Sequence, residues 1–291
     1  MSIVVNDMQK IIVVTGGAGF VGSHLCERLA FDGHRVISLD DYSTGTEANH
    51  VPGVEYRMGS TAAIAALITE TPDLVYHLGE YARTEQSFSD VARVLASNQT
   101  GTAAVLEFVR ATGAKLVYAG SSTKFADAGI GRDQSPYAWT KATNTDLVQR
   151  YADWYGIRYA ITYFYNVYGP RERSDTGTGT LIAIFAERRR RGLPLQIRRP
   201  GTQKRNFTHV LDIVDGLVLV GQRGEGDEYG LGHPDAYSVL EVAEMFGGPV
   251  EYLEERPGNR MSSGVDIHRA ALELGWKPQR DLPSYIKALT I

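Results

Sequence analysis

The stretch KIIVVTGGAGFVG, Lys10–Gly22, decides how the rest of the chain is read. The apolar run Ile11 to Val14 ends in Thr15 and leads straight into glycines at 16, 17, 19 and 22. Phe20, Val21, Leu25 and Leu29 then continue as an amphipathic segment, so the order is strand, glycine turn, helix. A dinucleotide site needs that context. Gly16 permits the tight turn, Gly19 lets the backbone approach a pyrophosphate, and Gly22 lets helix and strand pack closely. The first amides of the helix, at Phe20 and Val21, and its positive dipole end then face the phosphates. A second strand-like run, Arg35 to Leu39, closes in Asp40, near the spacing at which an acid holds the adenosine ribose.

Outward from this stretch, strand patterns near 10–15, 35–39, 54–58, 73–78, 115–119 and 157–164 alternate with helical patterns near 20–32, 60–70, 90–112 and 136–155. Repeated alternation predicts an α/β fold of the Rossmann type, a doubly wound parallel sheet covered by helices on both faces. LVYHL and KLVYA are apolar enough for strands buried on both sides. Ligands bind such sheets beyond the carboxyl ends of the strands, which directs attention to 16–22, 40–46, 79–90, 120–135 and 165–178. The pattern loosens after about residue 166. The expected division is a nucleotide-binding domain over 1–166, to which 207–235 returns, and a smaller α/β substrate lobe over most of 167–291.

The chain has 291 residues and a net charge of −4, which points to neither nucleic acid nor an anionic membrane as partner. Arg188–Arg191 reads as a solvated helix end. Cys26 stands alone, no apolar run reaches the length of a membrane span, and no signal peptide or metal-ligand set is read. A soluble cytoplasmic protein is the expectation.

The second informative stretch is SPYAWTK, Ser135–Lys141. Ser135 suits a helix cap, Pro136 the first helical position and Gly156 the stop. Tyr137 and Lys141 are four apart and share a face, and an ammonium beside a phenol lowers its pKa from about 10. Such a tyrosine can take a proton from a hydroxyl near neutral pH. The spacing by itself also fits a packed tyrosine and a solvated lysine, and it is the upstream nucleotide site that favours the acid–base reading. Ser121, after KLVYAG, could share a hydrogen bond with the reacting oxygen or simply close the strand end.

These stretches, together with LDDYSTG (39–45), NQTGTAAVLEF (98–108), YNVYGPR (165–171), RNFTHVLDIVDG (205–216) and RPGNR (256–260), resemble the extended short-chain dehydrogenases/reductases of the NAD-dependent nucleotide-sugar epimerase/dehydratase family, of the UDP-glucose 4-epimerase-like kind. The resemblance implies that Gly16, Gly19 and Gly22 form the pyrophosphate turn and that Asp40 holds the ribose, favouring NAD over NADP. It makes Tyr137 the base, Lys141 its partner and a nicotinamide-ribose ligand, and Ser121 the catalytic hydroxyl. Asn166 would contact the sugar-phosphate, with Arg205 and Arg256 clamping the diphosphate. Asn98 matches an asparagine near the active-site helix and equally fits a structural amide.

The implied chemistry is epimerisation of a nucleotide-diphosphate sugar at carbon 4 through a transient keto sugar. Where family dehydratases carry Asp-Glu after the catalytic hydroxyl, this chain has Ser122-Thr123, which disfavours dehydration. A nucleotide-sugar 4,6-dehydratase or a one-way 4-dehydrogenase or reductase is the alternative, and a non-catalytic dinucleotide sensor a remote one. Gly59-Ser60 departs from the aspartate usual after the third strand, and Gly79-Glu80-Tyr81 with Arg83 departs after the fourth. Ser122, Glu80 and Arg83 are expected on the substrate side, where Arg83 or Lys124 could meet an acidic sugar or stay solvated. His77 reads as a core residue. The resemblance also implies a homodimer paired through helices 90–112 and 136–155.

Overall fold

The computed structural model describes residues 9–175, 179–254 and 264–290. Seven strands make one parallel sheet: β1 (Ile11–Thr15), β2 (Arg35–Asp40), β3 (Val54–Met58), β4 (Leu74–His77), β5 (Lys115–Ser121), β6 (Tyr159–Phe164) and β7 (Gly226–Leu231). Their order is β7-β6-β5-β4-β1-β2-β3, and every pairing is parallel. Alternate side chains of β1 explain the two layers. Ile12 and Val14 pack with Leu25 and Leu29 of the helix Phe20–Phe31 and with Leu217 of the helix Val210–Arg223. Val13 points the other way, among Ile37, Val75 and Leu106. β4 is buried along its whole length, as a central strand covered on both faces must be.

The strand order reverses beside β1, which has β2 on one side and β4 on the other. Ligand crevices of doubly wound sheets open at such a reversal. Here Thr15 lies opposite both Leu39 and His77, and the next residue, Gly16, takes φ +74°. A Cβ on Gly16 would come within 2.9 Å of the Gly79 backbone, so the strand ends approach this closely only with glycine there.

The helix expected over 60–70 is shorter. A 3₁₀ turn, Thr61–Ala63, leads into one helical turn, Ile64–Leu67. Ile68 is already extended, and the sequence Ile-Thr before Thr71-Pro72 offers little to carry a helix further. The loop expected over 120–135 is wound into 3₁₀ turns from Ser122 to Asp133.

Beyond β6 a third apolar cluster gathers Tyr168, Phe185, Ile197, Phe207, Val242 and Phe246. Short strand pairs frame it: Val167–Tyr168 with Thr208–His209, Leu195–Arg198 with Val250–Leu253, and Lys204–Asn206 with Ala236–Ser238. Arg188–Arg190 end the helix Leu181–Arg190, where cations complement the dipole. Among the described residues no helix is long and apolar enough to cross a membrane, and no three His, Cys, Asp or Glu side chains converge as a metal site.

Candidate active site

The glycine turn prepares an anion site. The helix Phe20–Phe31 has Gly19 at its cap with no side-chain hydrogen bond, and its first turn carries no acid. Its leading amides therefore lack a side-chain acceptor and suit a phosphate. A Cβ on Gly22 would sit 2.1 Å from the Gly16 carbonyl oxygen, so the helix can seat against the turn only with glycine at 22. Gly19 faces no such obstruction in the chain: its nearest neighbour to a Cβ is the Gly16 oxygen at 3.1 Å. At the end of β2 the Asp40 carboxylate accepts the Ala18 amide at 2.9 Å and the Tyr42 amide at 2.8 Å. Burial raises its pKa, against the pull of these backbone amides. Both oxygens keep lone pairs for a ribose diol. The cradle fits NAD.

The chemical side stands two strands away. Ser135 caps the helix Pro136–Tyr155 by accepting the Ala138 amide at 3.0 Å, and Pro136 occupies its first turn. Half-buried Tyr137 and buried Lys141 follow. Ser121 ends β5, and its Oγ accepts both the Thr123 N–H at 3.3 Å and the Thr123 hydroxyl at 2.9 Å. With both lone pairs engaged, the Ser121 proton remains to donate to a ligand oxygen. Ser122 next to it is half-buried.

Glu80 corrects the sequence reading. Instead of facing substrate, its carboxylate is buried at the root of the site, ion-paired with Lys141. Lys141 also donates to the Ala119 carbonyl oxygen and lies 4.7 Å from the centroid of the Tyr118 ring. Burial alone would raise the Glu80 pKa, but the Lys141 ammonium and the Thr102 hydroxyl reverse this and hold it below the usual carboxylate range. An ionisable side chain this deep needs such partners. Lys124 is likewise engaged, 3.0 Å from Asp227, and so is not presented to a sugar.

Arg83 differs from both. It is half-buried, and no described carboxylate pairs with it. Burial and the Arg173 charge lower its pKa, while Asp175, Tyr137 and Tyr81 act in the opposite sense. It thus lies within electrostatic reach of Tyr137. Asn98, buried in a π-helical turn, Leu95–Thr100, accepts the Tyr81 amide at 2.7 Å and donates to Thr140 at 2.9 Å. It ties the loop after β4 to the helix of Tyr137, the role of a structural amide. His77 is fully buried, in keeping with a core residue.

On the far side, Asn166 takes φ +38° and donates to the Asn206 carbonyl oxygen at 2.9 Å. Arg205 is half-buried and donates to the Lys204 carbonyl oxygen at 2.8 Å. Arg256 lies outside the described residues. A cavity of about 440 Å³ beside the helix Leu181–Arg190 is lined by Arg171, Glu172, Arg189 and Tyr285, and by none of Ser121, Tyr137 or Lys141.

The doubly wound sheet and its glycine turn suit an NAD-dependent enzyme. The chain belongs to the NAD dependent epimerase/dehydratase family, whose model matches residues 12–232. Similar chains include UDP-glucuronic acid decarboxylase 1 of Xenopus tropicalis, 29% identical, covering 93% of this chain and 69% of that protein. The structure of UDP-glucose 4-epimerase from Thermotoga maritima with UDP-glucose superposes with a TM-score of 0.89 at 26% identity, covering 96% of this chain and 97% of that one. That of the Thermus thermophilus UDP-glucose 4-epimerase complex with NAD gives 0.86 at 28% identity, with the same coverage.

Proposed function

We propose that this enzyme is a nucleotide-sugar epimerase acting at carbon 4 through a transient 4-keto sugar. One observation carries the reading. The end of β5 and the turn after it, which pack against the helix of Tyr137, offer the hydroxyls of Ser121, Ser122 and Thr123 where a dehydratase carries acids, and the nearby acid, Glu80, is bound to Lys141. Nothing there can move protons at the neighbouring carbons, as dehydration requires. In this reading Tyr137 takes the proton of the 4-hydroxyl while Ser121 donates a hydrogen bond to the same oxygen. Lys141 favours the phenolate by its charge. NAD, when bound, would supply the redox chemistry, a reversible hydride transfer at carbon 4. Gly16, Gly19, Gly22, Phe20, Val21 and Asp40 hold that cofactor, and Asn166, Arg205 and Arg256 hold the sugar diphosphate.

A second reading shares the first step. A 4-keto hexuronate can lose its carboxyl group as carbon dioxide, and the unpaired Arg83 near Tyr137 suits a carboxylate on the sugar. The similarity to proteins named UDP-glucuronic acid decarboxylase supports it. Purified enzyme incubated with UDP-glucose, UDP-N-acetylglucosamine and UDP-glucuronate, with products read by mass and NMR, separates the two. Epimers of unchanged mass without added cofactor are expected. Loss of carbon dioxide would favour the second reading, and loss of water would overturn the argument from Ser122 and Thr123.

A homodimer belongs to the same proposal. Val91 and Leu95 on one candidate interface helix and Trp139 on the other are exposed apolar side chains. Light scattering on the size-exclusion peak should give twice the chain mass, and a monomer would contradict it.

A further inference from the structure

Glu80 is an acid that the proposed reaction does not itself use, and its side chain is only 3% exposed. One carboxylate oxygen accepts from the Lys141 ammonium. The other accepts from the Asn144 amide at 2.8 Å, the Thr102 hydroxyl at 2.9 Å and the Tyr118 hydroxyl at 3.1 Å. Since Thr102 gives its proton to Glu80, it can only accept from His77, whose Nε2 lies 2.9 Å away. That fixes the imidazole with its proton on Nε2, and Nδ1 then accepts the Thr15 hydroxyl at 2.7 Å. Thr15 in turn accepts the Gly79 amide at 3.0 Å. A polar chain therefore runs from the end of β1, at the glycine turn, to Lys141. Burial pushes the His77 pKa down to about 4, so the imidazole in this chain is neutral.

Glu80 is thus the one carboxylate paired with the Lys141 ammonium among the described residues. The ammonium's side chain is 7% exposed, and its other contacts, the Ala119 carbonyl and the Tyr118 ring, carry no net charge. A lysine buried without a counter-ion sheds its proton within a few pH units of neutrality. A neutral amine would no longer favour the phenolate of Tyr137. The other groups facing Tyr137 are Tyr118, itself hydrogen-bonded to Glu80, and Arg83, which Arg173 and Asp175 flank electrostatically. None of them holds a charge on Lys141.

We infer that Glu80 is a positioning residue of the active site: its buried ion pair keeps Lys141 charged and docked on the Ala119 carbonyl, so that Tyr137 can act as the base. The kinetic part of this rests on the proposed role of Tyr137, while the ion pair can be tested without turnover.

The experiment uses the full chain as wild type, Glu80→Gln, Lys141→Met and the double variant. Thermal unfolding of the four should be non-additive. Each single variant leaves half of a buried pair without its partner and melts lower, and the double recovers most of the loss. Additive losses would overturn the inference, as would a Glu80→Gln variant and a double variant that both fail to fold. NMR titration of carbon-13-labelled lysine, with Lys141 assigned from the methionine variant, should show a lower midpoint in Glu80→Gln than in the wild type. An unmoved midpoint would overturn it. With a sugar that turns over, Glu80→Gln should lower kcat about tenfold or more and move the acid limb of its pH profile upward, with KM little changed. A fall in kcat with an unmoved profile would mark a merely structural role. If no sugar is converted, the unfolding cycle and the titration still decide the inference, and only the proposed function fails.

Discussion

Asp40 and Glu80 both stand at the carboxyl ends of parallel strands, both are buried, and they are held in opposite ways. Asp40 is held by backbone amides, at Ala18 and Tyr42, which fix its direction and leave its charge unpaired. Glu80 is held by side chains, with an ammonium among them. Their pKa values diverge accordingly: burial raises that of Asp40, while for Glu80 burial is outweighed by the Lys141 ammonium and the Thr102 hydroxyl. An acid oriented by amides remains open to a ligand, whereas one paired with a cation acts only through that cation. Under the proposed function these two carboxylates of similar sequence setting would serve different ends of the crevice, one cofactor capture and the other the state of the base.

Four substitutions can break or sharpen this contrast. The largest effect belongs to the chemical end: Tyr137→Phe should lower kcat about 10²–10⁴-fold while the NAD released by heating per protein chain stays at the wild-type level. Loss of NAD alongside turnover would merge the two ends. At the cofactor end, Gly22→Ala forces a Cβ to 2.1 Å from the Gly16 oxygen. We expect a loss of about 3 kcal/mol in denaturant unfolding and empty protein on purification. Asp40→Asn keeps the amide-facing shape with less acceptor strength and should weaken NAD by about 1.5–3 kcal/mol in calorimetry, with kcat at saturating NAD unchanged. A matching fall in kcat would break the comparison.

The smallest effect involves a third buried acid, Glu172, which accepts the Gly169 amide and the Thr180 hydroxyl and pairs with no described cation. Burial lifts its pKa from 4.5 to about 7. Between those values the folded state binds more protons than the unfolded one, so its contribution to stability is full below pH 4.5 and is lost as the pH rises through about 7. Glu172→Gln should flatten that slope and stabilise the protein by about 1–2 kcal/mol above it, read from unfolding at a series of pH values. An unchanged slope would show that this acid is solvated.

Asp40 and the glycine turn were legible in the sequence because their partners belong to one strand-turn-helix-strand unit: Ala18 is 22 positions from Asp40 and Tyr42 is 2. The helix of Tyr137 announced itself through Ser135, Pro136 and Gly156. Glu80 was not legible, since 61 positions separate it from Lys141 and only the sheet order brings β4 and β5 together beneath that helix. A signal did exist: a lone acid directly after a strand too apolar to tolerate an unpaired charge. Lys124 and Asp227, 103 positions apart, were hidden for the same reason. Arg83, which the sequence leaves as either a contact for an acidic sugar or a solvated loop charge, is half-buried, and no described carboxylate pairs with it.

The most direct measurement of the central claim follows deuterium placed on carbon 4 of a nucleotide sugar that the enzyme converts. Transient oxidation with return of the same hydride predicts that the epimer carries its deuterium still on carbon 4, with no exchange into water and none into added cofactor. Deuterium lost to solvent, or recovered on free cofactor, would contradict the closed cycle at Tyr137, Ser121 and Lys141.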